Sequence, residues 1–107
     1  MSQRKIKGYK DVDIQVAKLA KALGHPARIA ILLCLCEESE CCCANIVTKL
    51  PIAQATASQH LKILKQAGLI CGNIDPPRVR YCIDKKNWEK AQQLFGDFLK
   101  IDPGIKD

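Results

Sequence analysis

The sequence predicts a mainly α-helical single domain carrying one β-hairpin, and three observations predict it. Apolar residues make up 48% of the chain but aromatic residues only 5%, so the interior is built from Ile, Leu, Val and Ala, a composition that suits packed helices. Apolar residues recur at helical spacing through most of the length. The period changes to that of strands only in LICGNID and RVRYCID, on either side of Pro76 and Pro77. At 107 residues the chain reads as one domain over 1–107, with a basic N-terminal arm over 1–11 and a C-terminal tail over 101–107.

The elements follow in order. In DVDIQVAKLAKAL, Val12, Val16, Leu19 and Leu23 form one stripe, widened by Ala20, and Gly24 is expected to end the helix through a left-handed backbone. Pro26 opens a second helix, because proline in a first turn costs no hydrogen bond. That helix, PARIAILLCLCEE, is apolar nearly all round and belongs at the centre of a core or a subunit interface. A short helix is expected within CCCANIVTKL, stopped by Leu50-Pro51. After a tight turn QATASQHLKILKQAG makes a further helix capped by Gly68, and the two short helices form a helix-turn-helix. On that last helix Ala57, Leu61 and Leu64 face inward. Ala55, Gln59, Lys62 and Gln66 face outward, flanked by Thr56, Ser58 and Lys65. The outward face carries no acid and suits the major groove: Gln reads adenine edges, Ser and Thr reach bases or phosphates, Lys neutralises phosphate. The hairpin follows directly as a basic wing with Arg78 and Arg80 near its tip. A final helix from about Lys86 to Lys100 lines up Trp88, Ala91, Leu94, Phe95, Phe98 and Leu99 as a core or dimer face.

Charge sharpens this picture. The net charge is +6, and residues 45–86 carry seven basic and two acidic residues, so the helix-turn-helix and wing form the basic part of the chain, a footprint for polyanions. No apolar run is long enough to span a bilayer, and the polar start lacks the apolar segment of a secretory signal, so a cytoplasmic protein without a membrane partner is expected. The seven cysteines are then thiols and not a disulfide framework, and the absence of any C-x-x-C spacing argues against a thioredoxin-like centre or a paired zinc knuckle. No Gly-rich phosphate loop, acid pair or activated nucleophile points to an enzyme.

The order of elements, with ALGHPARIAILLCL and ATASQHLKILKQAGLI at the second and recognition helices, resembles the ArsR/SmtB family of winged helix-turn-helix repressors over about residues 14–98. The resemblance implies a homodimer through the first and last helices, bound to a two-fold symmetric operator in double-stranded DNA and released by an inducer. Its DNA-contacting positions fall on Gln54, Thr56, Ser58, Gln59, His60 and Lys62, with Arg78 and Arg80 on the wing; Lys65 joins them from the flank of the same helix. His60 also lies near the buried stripe, where it would brace the helix. The family usually has Ser where this chain has Ala53, so the helix lacks its usual cap.

The inducer is a matter of thiols. The last helix has no histidine, which removes the zinc site that the family resemblance would place there. Family members that bind arsenic or soft metals resemble E-L-C-V-C-D-L at the start of the short helix. Here Cys42 falls on the first of those cysteines and Ala44 on the second, while Cys41 and Cys43 keep the C-x-C spacing one residue earlier. Thiolates favour soft ions, and trivalent arsenic favours three sulfurs, so a third ligand is expected from Cys82, from Cys71 or from the other subunit. Cys34 and Cys36 read as small buried apolar residues. The expected function is a repressor derepressed by arsenite or a soft divalent metal, with no cofactor required. Two alternatives stand: a repressor of the same fold sensing oxidants or persulfides, and a thiol-rich metal-storage or thiol-exchange protein without DNA binding.

Overall fold

The computed structural model describes residues 8–38, 41–42, 50–75 and 78–104. Helix α1 (Asp11–Ala22) is followed by α2 (Pro26–Glu38), strand β1 (Cys41–Cys42), helix α3 (Gln54–Gln66), strands β2 (Ile70–Asp75) and β3 (Arg78–Ile83), and helix α4 (Lys85–Leu99). The three strands form one antiparallel sheet in the order β1-β3-β2. The core joins α2, α3 and the base of the hairpin: Ile31, Leu32 and Leu35 meet Leu61, Leu64, Leu69 and Ile70, with Ala22 and Ala91 closing it from α1 and α4.

Local chemistry accounts for the element ends. The N–H of Ala67 closes on Ile63, and Gly68 then takes φ +81, the left-handed conformation expected of a helix C-terminus. Asn87 Nδ2 donates to the Gly68 carbonyl at 2.9 Å, which ties the end of α3 to the start of α4. Asp84 caps α4 by accepting from the Asn87 N–H at 3.2 Å.

Several expectations are corrected. Gly24 does not have positive φ; a Cβ there would lie 3.3 Å from the carbonyl oxygens of Ala20 and Lys21, so close approach to α1 is what calls for glycine. In α1, Ala20 is exposed and Ala22 is buried, so the stripe widens on the other side. Helix α2 is not buried all round: Ile29, Leu33 and Cys36 are exposed, with Cys34 half-buried, so Cys36 is not core filler within one chain. Cys41 and Cys42 are strand, not helix. Cysteine is a poor helix former, and β3 offers an open edge whose backbone groups pair with β1, Cys41 opposite Tyr81 and Cys42 opposite Arg80. The rest of the expected short helix, residues 43–49 with Cys43, lies outside the described residues, as does the Pro76-Pro77 turn.

Candidate nucleic-acid interface and thiol sites

Helix α3 is amphipathic as its sequence requires. Ala57, Leu61 and Leu64 are fully buried, while Gln54, Ala55, Thr56, Ser58, Gln59, Lys62, Lys65 and Gln66 are exposed. Ala53 adopts an extended N-cap conformation with no side-chain cap bond. The first N–H groups of α3 therefore point out of the same end that carries Gln54, Thr56 and Ser58, an arrangement that favours a phosphate. On the wing, Tyr81 and Ile83 pack toward the core and Arg80 is exposed. The Arg78 side chain lies outside the described residues.

His60 is the exception among the expected DNA contacts. It is 8% exposed, and its Nδ1 accepts from Arg28 Nη1 at 3.1 Å. Three residues from Ala57 and four from Leu64, it lies on the buried side of the helix, where it braces α3. Arginine only donates, so Nδ1 carries the lone pair and the ring proton sits on Nε2. Burial, which strips water from the charged ring, then repulsion from His25 and then from Arg28 push the His60 pKa below its ordinary value of 6.5. The two rings lie 4.5 Å apart, and His25 Nδ1 accepts from the Ala27 N–H at 3.0 Å, capping α2.

Arg28 escaped the sequence reading. Its Nε donates to the Ala22 carbonyl at 2.6 Å and its Nη2 to the Lys21 carbonyl at 3.2 Å, so one guanidinium serves the C-terminus of α1 and the recognition helix together. The available signal was a single cation inside the apolar run PARIAILL.

The thiols are arranged differently from the expected set. Cys71 and Cys82 oppose each other on β2 and β3 with their sulfurs 2.9 Å apart, and the Cys71 thiol also reaches the Cys82 carbonyl at 3.7 Å. Of the expected ligands, Cys82 is thus joined to Cys71. The backbones of Cys41 and Cys42 run along the opposite edge of β3. Among the described residues no group of three or more His, Cys, Asp or Glu stands where it could hold a metal ion.

Comparison with known proteins follows the same lines. The family model for bacterial regulatory proteins of the arsR family matches residues 25–71, from the start of α2 into β2. The biofilm growth-associated repressor of Xylella fastidiosa is 36% identical over 87 residues, covering 81% of this chain and 73% of that protein. The chain belongs to the ArsR/SmtB family. The family's relatives here are transcriptional regulators, not enzymes. The transcriptional repressor SmtB of Mycobacterium tuberculosis is 45% identical over 64 residues, 60% of this chain, and the match spans about half of that relative's length, 47%. In fold, the chain is similar to a homodimeric winged helix-turn-helix domain from Mycobacterium bovis, with a TM-score of 0.68 and 23% identity over 99% of each chain. Among the described residues four helices and the wing hairpin thus make a winged helix-turn-helix fold. Among the described residues no single helix is long and apolar enough to cross a membrane.

Proposed function

We propose that the protein is a dimeric, sequence-specific repressor of transcription whose grip on operator DNA is loosened when a thiophilic inducer, arsenite or a soft metal ion, binds its cysteines. The observation that carries the DNA half is the exposed, acid-free face of α3, with Gln54, Thr56, Ser58, Gln59, Lys62 and Lys65, together with the exposed Arg80 of the wing. Glutamines supply base-edge recognition and the cations hold phosphates, with Arg78 extending the wing's contribution. Dimerisation is supported by apolar side chains left in solvent on α1 and at the end of α4, namely Val12, Phe98 and Leu99. A second copy covers them and presents two recognition helices to successive major grooves.

The inducer half is supported by where β1 lies. Cys41 and Cys42 belong to a strand bonded to β3, which itself carries Arg80 and Cys82. A ligand drawing sulfurs together among Cys41, Cys42, Cys43 and Cys82 pulls on the wing directly, and the ligand then prefers the DNA-free form.

The test uses duplex selected by the reduced protein from a random-sequence pool. Affinity is expected to fall steeply as salt rises, and to fall again on titration with arsenite or cadmium. Binding that ignores salt removes the DNA reading. Binding that ignores both inducers, and is unaltered when Cys41, Cys42 and Cys43 are all changed to Ser, removes the inducer reading.

A further inference from the structure

We infer that Cys71 and Cys82 form a dithiol–disulfide site in the wing, oxidised by low-molecular-weight disulfides, and that closing the bridge weakens DNA binding. Its DNA consequence rests on the repressor reading above; its chemistry rests on the pair alone. The two residues face each other in the antiparallel register with sulfurs 2.9 Å apart, already inside ordinary van der Waals contact. Cys71 is exposed and Cys82 half-buried, so an incoming reagent meets Cys71 first. The pair shares Cys82 with the inducer set proposed above but is brought together by strand register alone, and two sulfurs in contact suit a two-electron bridge.

The chemistry balances as ordinary thiol–disulfide exchange. The Cys71 thiolate attacks one sulfur of the small disulfide; a mixed disulfide forms, and one small thiolate leaves and takes up the proton that Cys71 lost. The Cys82 thiolate then attacks the Cys71 sulfur, and the second small thiolate departs with the proton from Cys82. Two protein thiols have lost two electrons and two protons, and the small disulfide has gained both as two thiols.

The bridge reaches DNA through strand geometry. The Asp84 N–H donates to the Leu69 carbonyl at 3.0 Å, and alternation along the ladder makes Cys71 and Cys82 a hydrogen-bonded pair. Opposed Cβ atoms in such sheets are about 4.5–5.5 Å apart, the wider value in hydrogen-bonded pairs. A disulfide holds them at about 3.8 Å. Bridging therefore draws the strands together at the base of the wing. The next such pair outward is Asn73 with Arg80, so the shift passes along the ladder to the arginine that the repressor reading sets against DNA. The same region touches the recognition helix: Lys65 Nζ lies 3.6 Å from where a Gly72 Cβ would stand, next to Tyr81.

The experiment incubates full-length protein with graded ratios of oxidised to reduced glutathione. Tryptic peptides 66–78 and 81–85, each holding one cysteine, should become joined and separate again with reductant. Affinity for the selected duplex should fall roughly tenfold in step with the joined peptide and recover on reduction. Cys71→Ser should bind like the reduced protein and ignore glutathione disulfide, and Cys82→Ser should stop at the mixed disulfide without the joined peptide, whereas the triple Ser variant at Cys41, Cys42 and Cys43 should still respond. Absence of the joined peptide while other thiols oxidise overturns the inference, as does a joined peptide with unchanged affinity. Failure of the reduced protein to bind any duplex overturns the repressor reading, and with it the DNA half of this one.

Discussion

Arg28 spends all three of its donor nitrogens on the junction between α1, α2 and α3, reaching Ala22, Lys21 and His60. Two of those acceptors are carbonyls in the last turn of α1, and that of Lys21 also accepts from the Gly24 N–H at 3.1 Å. Arg28→Ala is expected to lower stability by about 2–3 kcal/mol, read from urea midpoints, with m unchanged. His60 makes the same junction sensitive to protons. Its folded pKa lies below the ordinary 6.5, so the unfolded chain takes up the proton first. Stability is full above 6.5 and declines as pH falls through that value toward the depressed folded one. In His60→Gln, whose amide oxygen can accept from Arg28, the loss of stability between about pH 7.5 and about pH 5.5 should be smaller. The helix wheel already set His60 beside the buried stripe. It could not show that the partner was Arg28, thirty-two residues earlier, because that contact is made by packing α2 on α3.

At the level of elements, α3 starts on an alanine that contributes no cap. Ala53→Ser is expected to stabilise the protein by about 1 kcal/mol and raise Tm by about 4–8 °C in a thermal melt. The wing makes a separate contribution. Arg80→Ala should weaken DNA binding by about tenfold and reduce the slope of log affinity against log salt by about 1, measured across a salt series. The helices, the hairpin and the face of α3 were legible in the sequence, since each follows from local periodicity and from Pro or Gly at its ends. Strand β1 was not. Its hydrogen bonds go to Tyr81 and Arg80, some forty residues away, and no local pattern in ESECCC encodes a distant edge.

Across the whole molecule the apolar surface is divided. Trp88 packs against the chain's own core and Leu94 and Phe95 are half-buried, whereas Phe98, Leu99 and Ile101 continue into solvent. The dimer proposed above would cover this apolar end of α4. Changing Phe98 and Leu99 together to Lys is expected to shift sedimentation from dimer to monomer. The same change should weaken binding to a two-fold operator far more than binding to a half-site.

The sequence by itself determined the order of the four described helices, the wing hairpin, the inward and outward faces of α3 and the basic character of residues 45–86. Each of these depends on a repeat of 2 or 3.6 residues and on charge, which are properties of neighbours along the chain. Only the tertiary structure decided which thiols meet, because Cys71 and Cys82 come together through strand register, and which residue braces His60, because Arg28 arrives from another helix. It also decided that Cys41 and Cys42 run beside the wing, since an open strand edge takes up whichever backbone the fold brings to it.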